Sequence, residues 1–166
     1  MEIKVVVGHC PERGQTKRLS DTALKGALVR AAKVHEAVGL NWDAVRAEFA
    51  DAVRADCDRI ILEAWVEGKL VGTLLGTAFW GDTAVARELL PCEGDVWAIA
   101  SSARRGLRVG EEMVKTFESI VAAQSFRGRG TVTLRADVHL DSAIPFWLRL
   151  GYVEDEVETR ASTYSG

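Results

Sequence analysis

Apolar positions along the chain follow two rhythms. Ile3 to Val7 is a short apolar run, closed by Gly8 and Pro11, and predicts a buried strand. Leu19, Leu24, Leu28, Ala31 and Val38 recur at roughly helical spacing. Asn41 is placed to cap a second helix with Val45, Phe49 and Val53 on one face. "RIILEAWV" and "LVGTLLGTAFW" are strand-like, and Glu67-Gly68-Lys69 between them predicts a hairpin. "GDTAVARELLPCEGD" reads as a connection with one helical turn, stopped by Pro91. Val96 to Ala100 predicts the next strand, and a helix follows with Val109, Met113, Phe117, Ile120 and Val121 on one face. "TVTLRADV" alternates as a strand, "DSAIPFWLRL" is a short helix, and "YVEDEVETR" is a last strand. The expected order is β-α-α-β-β-β-α-β-α-β. No linker, repeat or low-complexity segment interrupts it, so residues 1–166 are expected to form a single α/β domain.

Composition narrows the function without choosing it. The chain of 166 residues is 48% hydrophobic and 27% charged, as in an ordinary globular protein with a sizeable core. A net charge of −3 argues against an obligate nucleic-acid binder, because phosphate recognition shows a basic excess. Cys10, Cys57 and Cys92 are scattered, as are His9, His35 and His139, so no metal site is expected. Unpaired, scattered cysteines suit a reducing, cytoplasmic setting. The start "MEIKVVVGHC" is too short and acidic for a signal peptide, and no apolar run approaches membrane-spanning length. His9 beside Cys10 reads as loop next to Pro11 rather than as a reactive thiol.

The informative stretch is "VWAIASSARRGLRVGEEM". A strand ends in a turn rich in arginine and glycine that opens straight into a helix. The first N–H groups of a helix lack partners within it, and the macrodipole adds partial positive charge there. Such a turn is an anion site, with pyrophosphate the obvious guest. Gly106 and Gly110 remove side chains beside the backbone, and Arg104, Arg105 and Arg108 add charge. The turn lacks the Gly-Lys-Ser/Thr ending of a P-loop and the G-x-G-x-x-G of a dinucleotide fingerprint. "FRGRG" carries similar residues but precedes a strand, where no helix start is available.

The segment resembles the acyl-CoA-binding motif of the GCN5-related N-acetyltransferase superfamily, Gln/Arg-x-x-Gly-x-Gly/Ala after a strand. Arg105 and Gly110 match its ends, and Arg108 stands at the middle glycine. "SAIPFWLRLGY" is similar to the family's later motif, Asn-x-x-Ala-x-x-Phe-Tyr-x-x-x-Gly-Phe, with Ala143, Phe146, Gly151 and Tyr152 in register. Motif resemblance covers Asp95 to Glu154. It implies a mixed, mostly antiparallel central sheet with helices on both faces. It also implies acetyl-CoA as co-substrate. Ala98, Ile99 and Ala100 would hold the pantetheine arm, and Gly106, Leu107, Arg108, Val109, Gly110 and Glu111 the pyrophosphate. The thioester would lie in a split between Val96–Ala100 and Thr131–Val138.

Acetyl transfer to an amine needs a base for the amine proton, a donor for the oxyanion and an acid for the thiolate. The resemblance points to the start of the Val96 strand for the base. That position is Gly94, with Glu93 and Asp95 on either side and out of register unless a bulge intervenes. A second family position is Arg135, with Asp137 on the same strand face, and His139 is a further candidate. A solvated strand-end carboxylate is the plainer reading of each acid. The family's usual acid, a tyrosine, is replaced by Trp147, and the motif's asparagine by Leu140; Tyr152 or Tyr164 would then supply the proton, or solvent would. The expected activity is direct attack of an amine on acetyl-CoA in a ternary complex. A catalytically impaired acyl-CoA-binding regulatory module is the alternative. The acceptor is an amine, small molecule or peptide, and the mildly acidic balance leans toward a cationic one. Neither nucleic acid nor membrane is expected as a partner, and a homodimer is compatible with this reading.

Overall fold

The computed structural model describes residues 1–8, 21–43, 57–79, 94–102, 108–124, 134–138 and 141–154. Strand β1 (Glu2–Gly8) is followed by helix α1 (Asp21–Ala37), then by β2 (Cys57–Val66), β3 (Lys69–Phe79) and β4 (Gly94–Ser101). Helix α2 (Val109–Gln124), the short strand β5 (Leu134–Ala136), a 3-10 turn (Asp141–Ala143) and helix α3 (Ile144–Arg149) complete the order. The sheet runs β1-β2-β3-β4-β5, antiparallel except for the parallel β4–β5 pair. This is the mixed, mostly antiparallel sheet expected, with α1 packed on one face and α2 on the other.

Each helix meets the sheet through the face its periodicity marks. On α1, Leu24, Ala27 and Ala31 pack with Ile61, Leu75 and Ala98. On α2, Val109, Met113, Val114, Phe117 and Val121 pack with Ile60, Leu62, Leu74 and Val96. Three strand glycines let α2 approach. A Cβ on Gly72 would meet Val109 at 2.8 Å, on Gly76 Phe117 at 2.6 Å, and on Gly94 Val121 at 2.7 Å. The predicted hairpin forms around Glu67 and Gly68, with φ of 50° and 76°, the positive values a type I′ turn needs. A bulge on β4 leaves Trp97 opposite no single residue, since Leu75 pairs with Ala98 and Gly76 with Val96.

Some boundaries differ from the sequence reading. Trp42 and Asp43 begin the predicted second helix, and its remaining positions lie outside the described residues. The strand predicted over Thr131–Val138 pairs only at Leu134–Ala136 among the described residues, because Asp137 and Val138 leave the ladder. Tyr152 to Glu154 are not strand; they leave a helix end instead, and the rest of the predicted last strand lies outside the described residues. Gly151 (φ 92°) donates to the Leu148 carbonyl at 3.0 Å and Tyr152 to the Trp147 carbonyl at 3.1 Å, the paired bonds of a Schellman cap.

Candidate active site

The described start of α2 leaves amides without a helical partner, as an anion site needs. The Glu112 N–H donates to the Arg108 carbonyl at 3.0 Å, so the amides of Val109, Gly110 and Glu111 precede the first helical bond. Arg108 sits at φ 49°, a left-handed conformation that explains why glycine suits this position. Lys115 lies 3.0 Å from Glu111. The Lys115 hydrogen bond and charge hold the Glu111 carboxyl below its usual range, with Arg108 and Arg149 adding to the effect. Three cations therefore gather where the helix starts, and Lys115 and Arg149 were not singled out from the sequence. Gly110 has a packing reason for its missing side chain: a Cβ there would meet Phe146 at 3.1 Å. Gly106 and Leu107 lie outside the described residues, as do Arg104 and Arg105.

Strands β4 and β5 part after a short ladder. The β4–β5 ladder ends at the Val96–Ala136 pair, with one further bond from the Asp137 N–H to the Val96 carbonyl at 2.9 Å. Strand β4 continues through Ser101 while the described part of β5 does not follow. Ala98, Ile99 and Ala100 of β4 thus have no β5 ladder partner among the described residues. The β4 bulge turns both Trp97 and Ala98 to the α1 side, with Ile99 on the α2 side.

The two faces of the sheet differ in chemistry. The described α2 face is mostly apolar, with Asp58 buried on it opposite Ala78. The α1 face carries buried polar groups. Alternation places Asp95 there, because its neighbours Gly94 and Val96 both pack toward α2. Asp95 is 1% exposed and accepts a hydrogen bond from Arg135 Nη2 at 2.8 Å. Thr77, opposite Asp95 in register, accepts from the Trp97 indole Nε1 at 3.1 Å. Farther along the same face, Arg30 of α1 grips the buried Glu63 at 2.6 and 3.1 Å, and Thr73 meets His35 Nδ1 at 3.2 Å. Asp95 is the candidate base that this geometry brings to the face. Glu93 and His139 lie outside the described residues, as do Trp80 and Leu140.

The profile of the acetyltransferase (GNAT) family matches residues 27–152. The chain belongs to this family. No curated protein matches it. Solved structures agree on the GNAT fold. The aminoglycoside 6'-N-acetyltransferase of Acinetobacter haemolyticus superposes with a TM-score of 0.54 at 17% identity, over 94% of this chain and 93% of that one. The ribosomal-protein-alanine N-acetyltransferase of Brucella melitensis biovar Abortus gives 0.51 at 17% identity, over 93% and 94%. A GCN5-related N-acetyltransferase of Ralstonia eutropha gives 0.50 at 12% identity, over 93% and 95%.

Within the GNAT motif around α3, the candidate acid Tyr152 has a different occupation. Its ring packs against Trp147, centroids 4.9 Å apart, as the apolar contact of the Schellman cap. Its hydroxyl donates to Glu118 on α2 at 3.2 Å. Burial first, then the Glu118 charge and hydrogen bond, push its pKa above the ordinary tyrosine value. Trp147 is 4% exposed and belongs to the α2-side core. Among the described residues, no group of three His, Cys, Asp or Glu is placed to hold a metal ion, and no helix is long and apolar enough to cross a membrane.

Proposed function

We propose that this GNAT-family protein transfers an acetyl group from acetyl-CoA to an amine by direct attack in a ternary complex. The observation that carries the reading is that the β4–β5 ladder stops at Val96–Ala136 while β4 runs on to Ser101, with Arg108, Lys115 and Arg149 acting on Glu111 at the start of α2. In this reading the α2 amides and Arg108, Lys115 and Arg149 hold the pyrophosphate, and the edge of Ala98–Ala100 runs beside the pantetheine arm. The amine approaches from the α1 side, where Asp95 lies. Its nitrogen attacks the thioester carbonyl, the C–S bond breaks, and the amine proton passes to Asp95 directly or through water. The thiolate leaves to solvent, its ordinary pKa near 8.5 making an acid dispensable at modest cost. A cytoplasmic location accompanies this reading, on the scattered cysteines.

The test is release of CoA thiol from acetyl-CoA over a panel of amines, with Asp95→Asn beside the parent chain. Amine-dependent thiol release that falls a hundredfold or more in Asp95→Asn, with acetyl-CoA affinity kept, is expected. The buried Trp147 at the family's tyrosine position favours a second reading, an acyl-CoA-binding module with impaired catalysis. Saturable acetyl-CoA binding with no turnover on any amine would establish it in place of the first.

A further inference from the structure

The chemistry of the α1 face bears on what the acceptor carries besides its amine. Of the Asp95–Arg135 pair, the carboxylate side chain is 1% exposed and the guanidinium side chain 34%. The pair joins directly opposed residues of β4 and β5, one step before the last ladder pair, Val96 and Ala136. Leu134 and Ala136 both pack toward α2, so Arg135 projects to the α1 side, where an acceptor enters. A molecule arriving there meets the guanidinium before the carboxylate.

Asp95 anchors the guanidinium from behind. A planar fork held in place suits two-pronged recognition of an oxyanion, which a mobile lysine does less well. Asp95 already sets one negative charge beside the guanidinium, so it repels a singly charged carboxylate less than a doubly charged phosphate. The Trp97 indole, fixed by its bond to Thr77, supplies an apolar wall on the same side of β4. The acidic net charge of the whole chain acts at long range and through salt screening, so it steers encounters. A contact inside the site outweighs it in selecting among bound amines.

We infer that Arg135 is a specificity-determining residue that binds a carboxylate carried by the acceptor, which makes the acceptor an amino acid rather than a polyamine. The inference rests on the acetyl-transfer reading above.

The experiment compares amino acids with the amines left by removing their carboxylate: lysine against cadaverine, ornithine against putrescine, phenylalanine against phenethylamine. Thiol release gives kcat/KM for each, and calorimetry on the CoA-loaded full chain gives binding without turnover. At least one amino acid is expected to exceed its amine tenfold or more. Arg135→Gln should erase that ratio, chiefly through KM, with acetyl-CoA affinity kept; turnover of the plain amine falls as well, because the variant leaves Asp95 without its ion-pair partner, so the acid-to-amine ratio is the readout. Arg135→Lys keeps the charge beside Asp95 and carries the test if the glutamine variant fails to fold; it should lose most of the ratio. Thiol release without any preference for the acids, or a preference surviving both variants, overturns the inference and leaves acetyl transfer standing. Arg135-dependent binding of an amino acid without turnover supports the inference and counts against transfer. Neither binding nor turnover with any member overturns both. Phosphoethanolamine used better than β-alanine overturns the choice of a carboxylate.

Discussion

Arg108 combines a charge useful at a helix start with a backbone conformation that costs energy. A left-handed φ costs an L-residue about 1–2 kcal/mol, and Arg108 holds φ 49°. Arg108→Gly is expected to raise unfolding free energy by about 0.5–1 kcal/mol in urea melts, after glycine's own entropy cost. Arg108→Ala keeps a Cβ and should bring no such gain. Both variants lose the same charge, so equal weakening of acetyl-CoA binding would mark that loss as electrostatic. Tyr152 reads out differently. Its raised pKa means the folded state keeps the phenol proton after the unfolded chain releases it. Its contribution is complete below the ordinary tyrosine value near 10 and is lost as pH rises beyond it. Melting temperatures between pH 8 and 11 should fall less steeply in Tyr152→Phe than in the parent. At neutral pH the same change should cost about 1 kcal/mol and leave turnover within tenfold.

At the scale of elements, α2 is the piece on which the site depends, and small residues on the sheet set its height. Gly76 is the tightest of these, with Phe117 at 2.6 Å and the Asp95 carbonyl at 2.9 Å from a Cβ built there. Gly76→Ala is expected to destabilise by about 1–3 kcal/mol through overpacking. Trimming the partner, as in Gly76→Ala with Phe117→Leu, should recover part of the loss, which a double-mutant cycle in urea would show as favourable coupling. Helix α3 is fastened to the same body. Phe146 lies over Gly110, and Tyr152 reaches Glu118, so the motif around α3 serves first to seat that helix on α2. Arg149 is carried to the start of α2 by this packing.

Across the described residues the sheet is covered by α1 on one face and by α2 on the other. Acetyl-CoA bound across β4 and the α2 turn would tie these elements together only in the folded state. At a hundred times its dissociation constant it should add about 2.7 kcal/mol to stability, seen as a raised urea midpoint. Arg149→Ala should reduce that gain at the same ligand concentration while leaving the ligand-free midpoint near its parent value. An unchanged gain would remove Arg149 from the site.

Much of the fold was legible in the sequence, because helix and strand rhythm and turn residues are properties of short stretches. Gly68 after Glu67 marked the hairpin, the apolar face of α2 marked a helix on a sheet, and the residues around Arg105–Gly110 and Ala143–Tyr152 pointed to the family. The site was legible only as a turn. A motif that names a tyrosine or a glycine does not say what that residue touches, so the contacts of Tyr152 with Glu118 and of Gly110 with Phe146 came only from the structure. The pairing of Asp95 with Arg135 joins residues 40 positions apart, and the gathering of Arg149 with Lys115 at Glu111 depends on how α3 packs. The sequence by itself determined the elements, their order and the family, since each is written in local pattern. Only the tertiary structure decided which residues share a face and which charges pair, because register, bulge position and helix height are set by contacts between distant segments.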